Sequence, residues 1–207
     1  MKIRNGKPIF TARQITQGGG DLIKDLIEDK LEVVDLSGYK GASYYKLRDY
    51  AFYNKKNLKE VIVDYTKTVS VGEYCFEGSS IQTLRTISKF SSIGIKAFYG
   101  TNINLQVLIC TNTIYHDAFQ YCKKLTGTLQ LAGDSSFTIY DSAFLGTNIH
   151  QISILNTNES IIQLDSEFYE TFPNTITKIK VRSSMLDKYK ADSNWSKFTG
   201  IWEAVNE

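Results

Sequence analysis

Two prolines in 207 residues leave no material for a proline-rich linker. The three cysteines, Cys75, Cys110 and Cys122, are odd in number and contain no CxxC pair. That excludes a disulfide framework and a structural zinc site, and it leaves the thiols as small buried hydrophobes. The two histidines, His116 and His150, lie far apart with no cysteine or carboxylate at ligand spacing, so both are expected at the surface. No stretch of 18 apolar residues occurs, so no membrane-spanning helix and no membrane partner are expected. The opening Met-Lys-Ile-Arg-Asn-Gly-Lys-Pro-Ile-Phe has no apolar run of leader length, which predicts no ordinary export if Met1 is the native start. Charge of one sign is lacking too. Lys+Arg is 24 against Asp+Glu 22, and that balance gives no electrostatic case for nucleic acid.

Chemistry is equally thin. Gly18-Gly19-Gly20 lacks the Gly-Lys-Ser/Thr ending and the preceding strand of a phosphate loop. Acidic residues are scattered with no general acid/base pair, and Cys110 and Cys122 fall at inward positions away from His116. The expectation is therefore no enzyme, no metal and no cofactor.

What is present is a repeat. Phe52, Phe76, Phe98, Phe119, Phe144 and Phe168 recur at intervals of 21 to 25 residues. The residue before each is Ala51, Cys75, Ala97, Ala118, Ala143 and Glu167, five small and one not. Five positions before come Leu47, Val71, Ile93, Ile114 and Ile139, with Gln163 breaking the column. A second pattern, apolar at +0, +3 and +5, reads Leu31/Val34/Leu36, Leu58/Val61/Val63, Leu105/Leu108/Cys110, Ile149/Ile152/Ile154 and Ile176/Ile179/Val181. Ile81/Leu84 keeps two of the positions, and Leu125 to Leu131 fits with one residue inserted. Positions +3 and +5 point to one face of a short strand, and a unit this small must stack on its neighbours to bury that face. Gly78-Ser79, Gly100-Thr101 and Gly146-Thr147 supply tight turns at matching places.

Phrases such as LRDYAFYNKKNLKEVIV, HDAFQYCKKL and TIYDSAF resemble the BspA-like leucine-rich repeats of bacteria and their phages. That family's unit runs Ile-Gly-x-x-Ala-Phe-x-x-Cys-x-x-Leu-x-x-Val-x-Ile-Pro. Ile93-Gly94 before Ala97-Phe98 and Cys122 after Phe119 match it, while the closing proline is missing and Cys75 and Glu167 replace Ala. The resemblance covers about residues 31–181. It implies an α/β, strand-rich, curved right-handed solenoid of about six to seven coils, with short turns or helices on the convex side and a binding role. The tail resembles the family's closing segment, in which Tyr189, Trp195, Phe198 and Ile201 would cover the last coil.

The expected organisation is an N-terminal arm and glycine hinge over 1–20, a solenoid over 21–181 and a helical C-terminal cap over 182–207. The solenoid opens with a capping helix carrying Leu22, Ile23, Leu26 and Ile27 at helical spacing after Asp21. In the arm, Ile3, Ile9 and Phe10 have no column to join, and the segment reads either as an arm that contacts another copy or as a disordered one. The +2 and +4 residues of each strand face outward: Val33/Asp35, Glu60/Ile62, Thr83/Arg85, Val107/Ile109, Gln151/Ser153 and Lys178/Lys180. This face runs from acidic to basic with aliphatics between, which suits a protein partner. Tyrosines such as Tyr50, Tyr53, Tyr74, Tyr99 and Tyr169 fall on the other side. The function expected is a non-catalytic binding or assembly module of a bacteriophage tail, baseplate or fibre, located in the virion and assembled in the host cytoplasm. Its partners would be other virion proteins or a host surface receptor. The alternative is a bacterial adhesin, on the cell surface or secreted.

Overall fold

The computed structural model describes residues 31–37, 44–63, 68–85, 89–105, 107–133, 136–156 and 158–206, with the backbone of 2–4 and 7–9. Its strands are β1 (Lys2–Arg4), β2 (Lys7–Ile9), β3 (Val33–Asp35), β4 (Tyr44–Leu47), β5 (Glu60–Ile62), β6 (Thr68–Val71), β7 (Thr83–Arg85) and β8 (Lys89–Ile93). They continue as β9 (Val107–Ile114), β10 (Thr126–Ala132), β11 (Thr138–Ile139), β12 (Asn148–Ile154), β13 (Gln163–Leu164), β14 (Lys178–Arg182) and β15 (Ile201–Val205). Beyond the antiparallel hairpin β1–β2, every ladder is parallel and joins one coil to the next. The result is a β-solenoid of about seven turns.

Each coil has three walls. The first is a sheet of β3–β5–β7, taken up again by β9–β10–β12–β14–β15. The second is β4–β6–β8–β9 followed by β11 and β13. Strand β9 serves both: Val107–Ile109 pairs with β10, while Cys110–Ile114 pairs with β8 and β11. The third wall is a stack of turns carrying the phenylalanines. In each turn the residues two before and two after Phe are left-handed: Tyr50/Asn54, Tyr74/Gly78, Lys96/Gly100, Asp117/Tyr121 and Ser142/Gly146. Alternating the backbone hand turns every second N–H along the solenoid axis. Phe52 donates to Cys75, Phe76 to Ala97, Phe98 to Ala118 and Phe119 to Ala143, at 2.7–2.8 Å. The turns are thus hydrogen-bonded coil to coil like a sheet, which satisfies backbone groups that a buried loop would leave orphaned.

The phenylalanine rings stack along the core at centroid spacings of 4.8–5.3 Å and within 10° of parallel, from Phe52 through Phe76, Phe98, Phe119 and Phe144. The sixth ring in this stack is Phe172, not the expected Phe168. Phe144 donates its N–H to Thr171, so Thr171-Phe172 occupies the small-residue–Phe position. A four-residue helix, α1 (Phe168–Thr171), inserts the extra turn. That explains Glu167: it begins the helix and was never in the small-residue column. Phe168 is still buried, wedged against Phe172, Trp195 and Phe198.

One strand column is also displaced. The corner residue of the fourth coil is Ile103, fully buried, with its N–H on Thr101 Oγ1 as Ile81 N–H lies on Ser79 Oγ. Leu105, expected at that corner, is only partly buried. Leu108 accordingly stands level with Leu131 and Ile154, two residues along from its expected place. An even slip leaves every side chain on its own face. The coil that fits only with an insertion has its irregularity at Gly127, left-handed at φ 73°, where the ladder to β12 shifts.

Helix is scarce. The closing segment has single 3-10 turns at Ser183–Met185 and Trp195–Lys197, the six-residue α2 (Leu186–Ala191), and then β15, which rejoins the first sheet. Tyr189, Trp195 and Phe198 cover the last coil as expected, but Ile201 is 60% exposed and Trp202 packs on the cap in its place. Convex-side helices other than α1 are replaced by the turns. The expected capping helix over 21–30 and the glycine hinge lie outside the described residues.

Candidate functional site

Strands of the first sheet bury their central residues and turn the flanking ones outward. Val34, Val61, Leu84, Leu108, Ile152 and Ile179 are buried, whereas Val33, Asp35, Glu60, Ile62, Thr83, Arg85, Val107, Ile109, Gln151, Ser153, Lys178 and Lys180 are exposed or half-buried. The sheet therefore gathers every face residue named from the sequence onto one open side. Across β3–β5–β7 the rows are Val33/Glu60/Thr83 and Asp35/Ile62/Arg85. From β9 onward, the register gives Val107/Gln130/Ser153/Lys180/Glu203 and, one step further, Ile109/Ala132 and Arg182/Val205, with Leu155, just past β12, donating its N–H to Leu131 O at 2.7 Å. Gln151 and Lys178 stand side by side in a third row.

The second of these rows is aliphatic at Ile109 and Ala132, with Leu155 alongside just past β12. At the two ends of this cluster Leu155 is 42% exposed and Val107, on β9 two strands away, is 47% exposed, with Ile109 and Ala132 half-buried between. An exposed aliphatic cluster of this kind on an open sheet face marks a candidate interaction surface. Leu155, Ala132 and Gln130 were not legible as face residues, since β10 carries the irregular spacing and Leu155 lies past the +5 position.

The charge gradient is milder than the sequence rows suggest. Glu60 carries an ion pair with Arg85 at 2.5 Å. At the other end, Glu203 on β15 lies between Lys178 at 2.9 Å and Lys180 at 3.0 Å, and the two ammonium groups hold its carboxyl below the usual range. Asp35 accepts from Ser37 at 2.6 Å. Glu203 could have been found from the alternation of Ile-Trp-Glu-Ala-Val, which is a strand pattern inside what reads as a closing segment.

The other candidates resolve as follows. Ile3 and Ile9 lie in the hairpin, Ile3 opposite Pro8 and Ile9 opposite Lys2, while Phe10 lies outside the described residues. Cys75, Cys110 and Cys122 are buried and free, as expected. Burial pushes the Cys110 thiol up to about 11 and Cys122 to about 12, with Cys75 raised further. Cys122 Sγ donates to Phe98 O at 2.9 Å, one turn-column along from Thr147 Oγ1 on Phe144 O, so it works as a turn residue. His116 is half-exposed and acquires a carboxylate that sequence spacing hid: Asp141, from the next coil, hydrogen-bonds its Nδ1. Burial raises the neighbouring Asp117 carboxyl. Tyr50, Tyr53, Tyr74, Tyr99 and Tyr121 lie on the turn wall, with Tyr50 stacked on Tyr74, and Tyr115 stacks on Tyr140 at its edge.

Among the described residues no helix is long and apolar enough to cross a membrane. No curated protein matches the chain. The family model described as BspA type Leucine rich repeat region matches residues 45–171 in six copies.

Proposed function

The chain belongs to the BspA-type leucine-rich repeat family, and from that premise we propose that it is a non-catalytic module that docks a protein partner on the open face of its first sheet. Solenoids of this family serve as interaction scaffolds. The observation that carries the reading is the exposed aliphatic patch of Val107, Ile109, Ala132 and Leu155, bordered by Gln130, Ser153, Lys178 and Lys180. An interface core of aliphatics within a polar rim is the composition of specific protein contacts. The partner fitting this patch presents apolar side chains at its centre and acceptors or carboxylates at its edge. Tagged protein should retain partners that a Val107→Asp/Ile109→Asp variant, unchanged in melting temperature, releases. Equal retention by both proteins removes the face from the reading.

For the setting of that contact, we carry a component of a bacteriophage tail, baseplate or fibre, found in the virion. Support comes from the family's occurrence among phage proteins. The hairpin β1–β2, outside the repeat, supplies an arm for contact between copies. Mass spectrometry of purified particles tests the setting. Recovery in particles supports it, and recovery only at a bacterial surface or in the medium supports the adhesin alternative. An Ile3→Asp/Ile9→Asp variant that enters particles normally removes the arm from the reading.

A further inference from the structure

The two sheets end differently at the C-terminal side of the solenoid. The last strand of the second sheet, β13, is sealed by the cap: Tyr189 Oη receives Ile162 N–H at 3.0 Å, Trp195 Nε1 donates to Ile162 O at 2.7 Å and Asn194 Nδ2 to Leu164 O at 2.7 Å. Among the described residues the first sheet ends in β15, which pairs with β14 alone. Ile201 donates to Thr177 O at 2.9 Å, so in this parallel ladder Ile201, Glu203 and Val205 point their backbone groups at β14. By alternation, Trp202 and Ala204 turn theirs to the outer edge. Among the described residues no donor or acceptor meets these groups. The strand is five residues of unbroken register with no proline and no lysine, and its one charge, Glu203, is held by Lys178 and Lys180 of its own sheet, so little blunts the edge. Ile201 is 60% exposed and Ala204 is exposed as well.

We propose that β15 pairs antiparallel with β15 of a second copy about a two-fold axis through Glu203. The strand is self-complementary in that register. Trp202 faces Ala204 of the other copy, large against small, and both have outward backbone groups, so the two such pairs exchange four hydrogen bonds. Ile201 faces Val205, apolar against apolar. Glu203 meets its equivalent at the axis, and Lys178 and Lys180 already hold each carboxylate. A closed two-fold contact of this kind uses the same surface on both copies and consumes the free edge completely. It is independent of the partner face and of the arm.

The test is the mass of the full chain in solution together with two variants. Wild type should run at twice its 23.5 kDa mass at micromolar concentration. Ala204→Pro should run as a monomer with an unchanged melting temperature, because Pro is tolerated where the N–H faces away from the sheet. Glu203→Cys should form a disulfide-linked dimer on mild oxidation, since residues facing at a non-hydrogen-bonded antiparallel position lie within bridging distance, while Lys124→Cys should not. That second readout holds even if Ala204→Pro folds poorly. A monomeric wild type up to about 100 μM, or Glu203→Cys cross-linking no faster than Lys124→Cys, overturns the proposal. So does a dimer that Ile3→Asp/Ile9→Asp abolishes and Ala204→Pro leaves intact.

Discussion

At the scale of single residues, the core is a ladder of identical rings, and each inner ring stands between two others. Phe98 lies between Phe76 and Phe119 at 5.1 and 5.0 Å. Phe98→Ala opens a cavity with a coil on either side, and denaturant melts should show a loss of about 3–5 kcal/mol. Lys124→Ala, at an exposed position, should melt like wild type. The thiols give a second residue-scale test. All three are held protonated in the folded chain by burial, so the folded protein should resist alkylation at pH 8 and yield three modified cysteines only after denaturation. Because the folded values lie above the unfolded ones, the unfolded chain loses these protons first as pH rises. Stability should therefore fall as pH climbs through the ordinary thiol range and hold steady below it. Inward positions were legible because Phe and its small predecessor recur together. The Asp141 partner of His116 was not, because contacts between coils join residues about a coil length apart rather than neighbours in sequence.

At the scale of the element, the turn wall and the strand register carry the lessons. Two glycines test the turn wall in different ways. At Gly94 a Cβ would meet Glu73 N and Gly72 C at 2.7 Å, backbone atoms of the preceding coil that cannot move aside. Gly94→Ala should cost about 1–3 kcal/mol as overpacking. Gly100 has open space but φ +65°, so Gly100→Ala should cost only about 1 kcal/mol of backbone strain, as the left-handed Asn54 and Tyr121 at the same turn position already tolerate. Comparing the two melts separates crowding from conformation, and equal costs would contradict the coil-to-coil approach at Gly94. Reading the elements from sequence succeeded where spacing was constant and failed where coils differ in length. Phe168 was chosen over Phe172 because nothing in the sequence marks α1 as an insertion within the column. The fourth coil was displaced by two because Ile103 and Leu105 are equally apolar, and only the Thr101 hydroxyl on Ile103 N–H distinguishes the corner. Even slips preserve the face, which is why Val107 and Ile109 still fall on the open side.

At the scale of the whole molecule, the walls differ in what they offer. The second sheet and the turns close the core, whereas the first sheet exposes aliphatic side chains on its open side and a bare strand at its end. The chain's near-neutral charge fits such a surface, where partner choice rests on shape and apolar contact more than on long-range attraction. Site-specific photo-crosslinking tests the binding face most directly. A photoreactive side chain replaces Val107, 47% exposed on the open sheet, or Tyr121, 49% exposed on the turn wall, in the protein expressed in its own source. With accessibility matched, a discrete protein adduct is expected from position 107 and none from 121. Adducts from 121 alone, equal adducts from both, or none from 107 would contradict the assignment of the open sheet as the docking face.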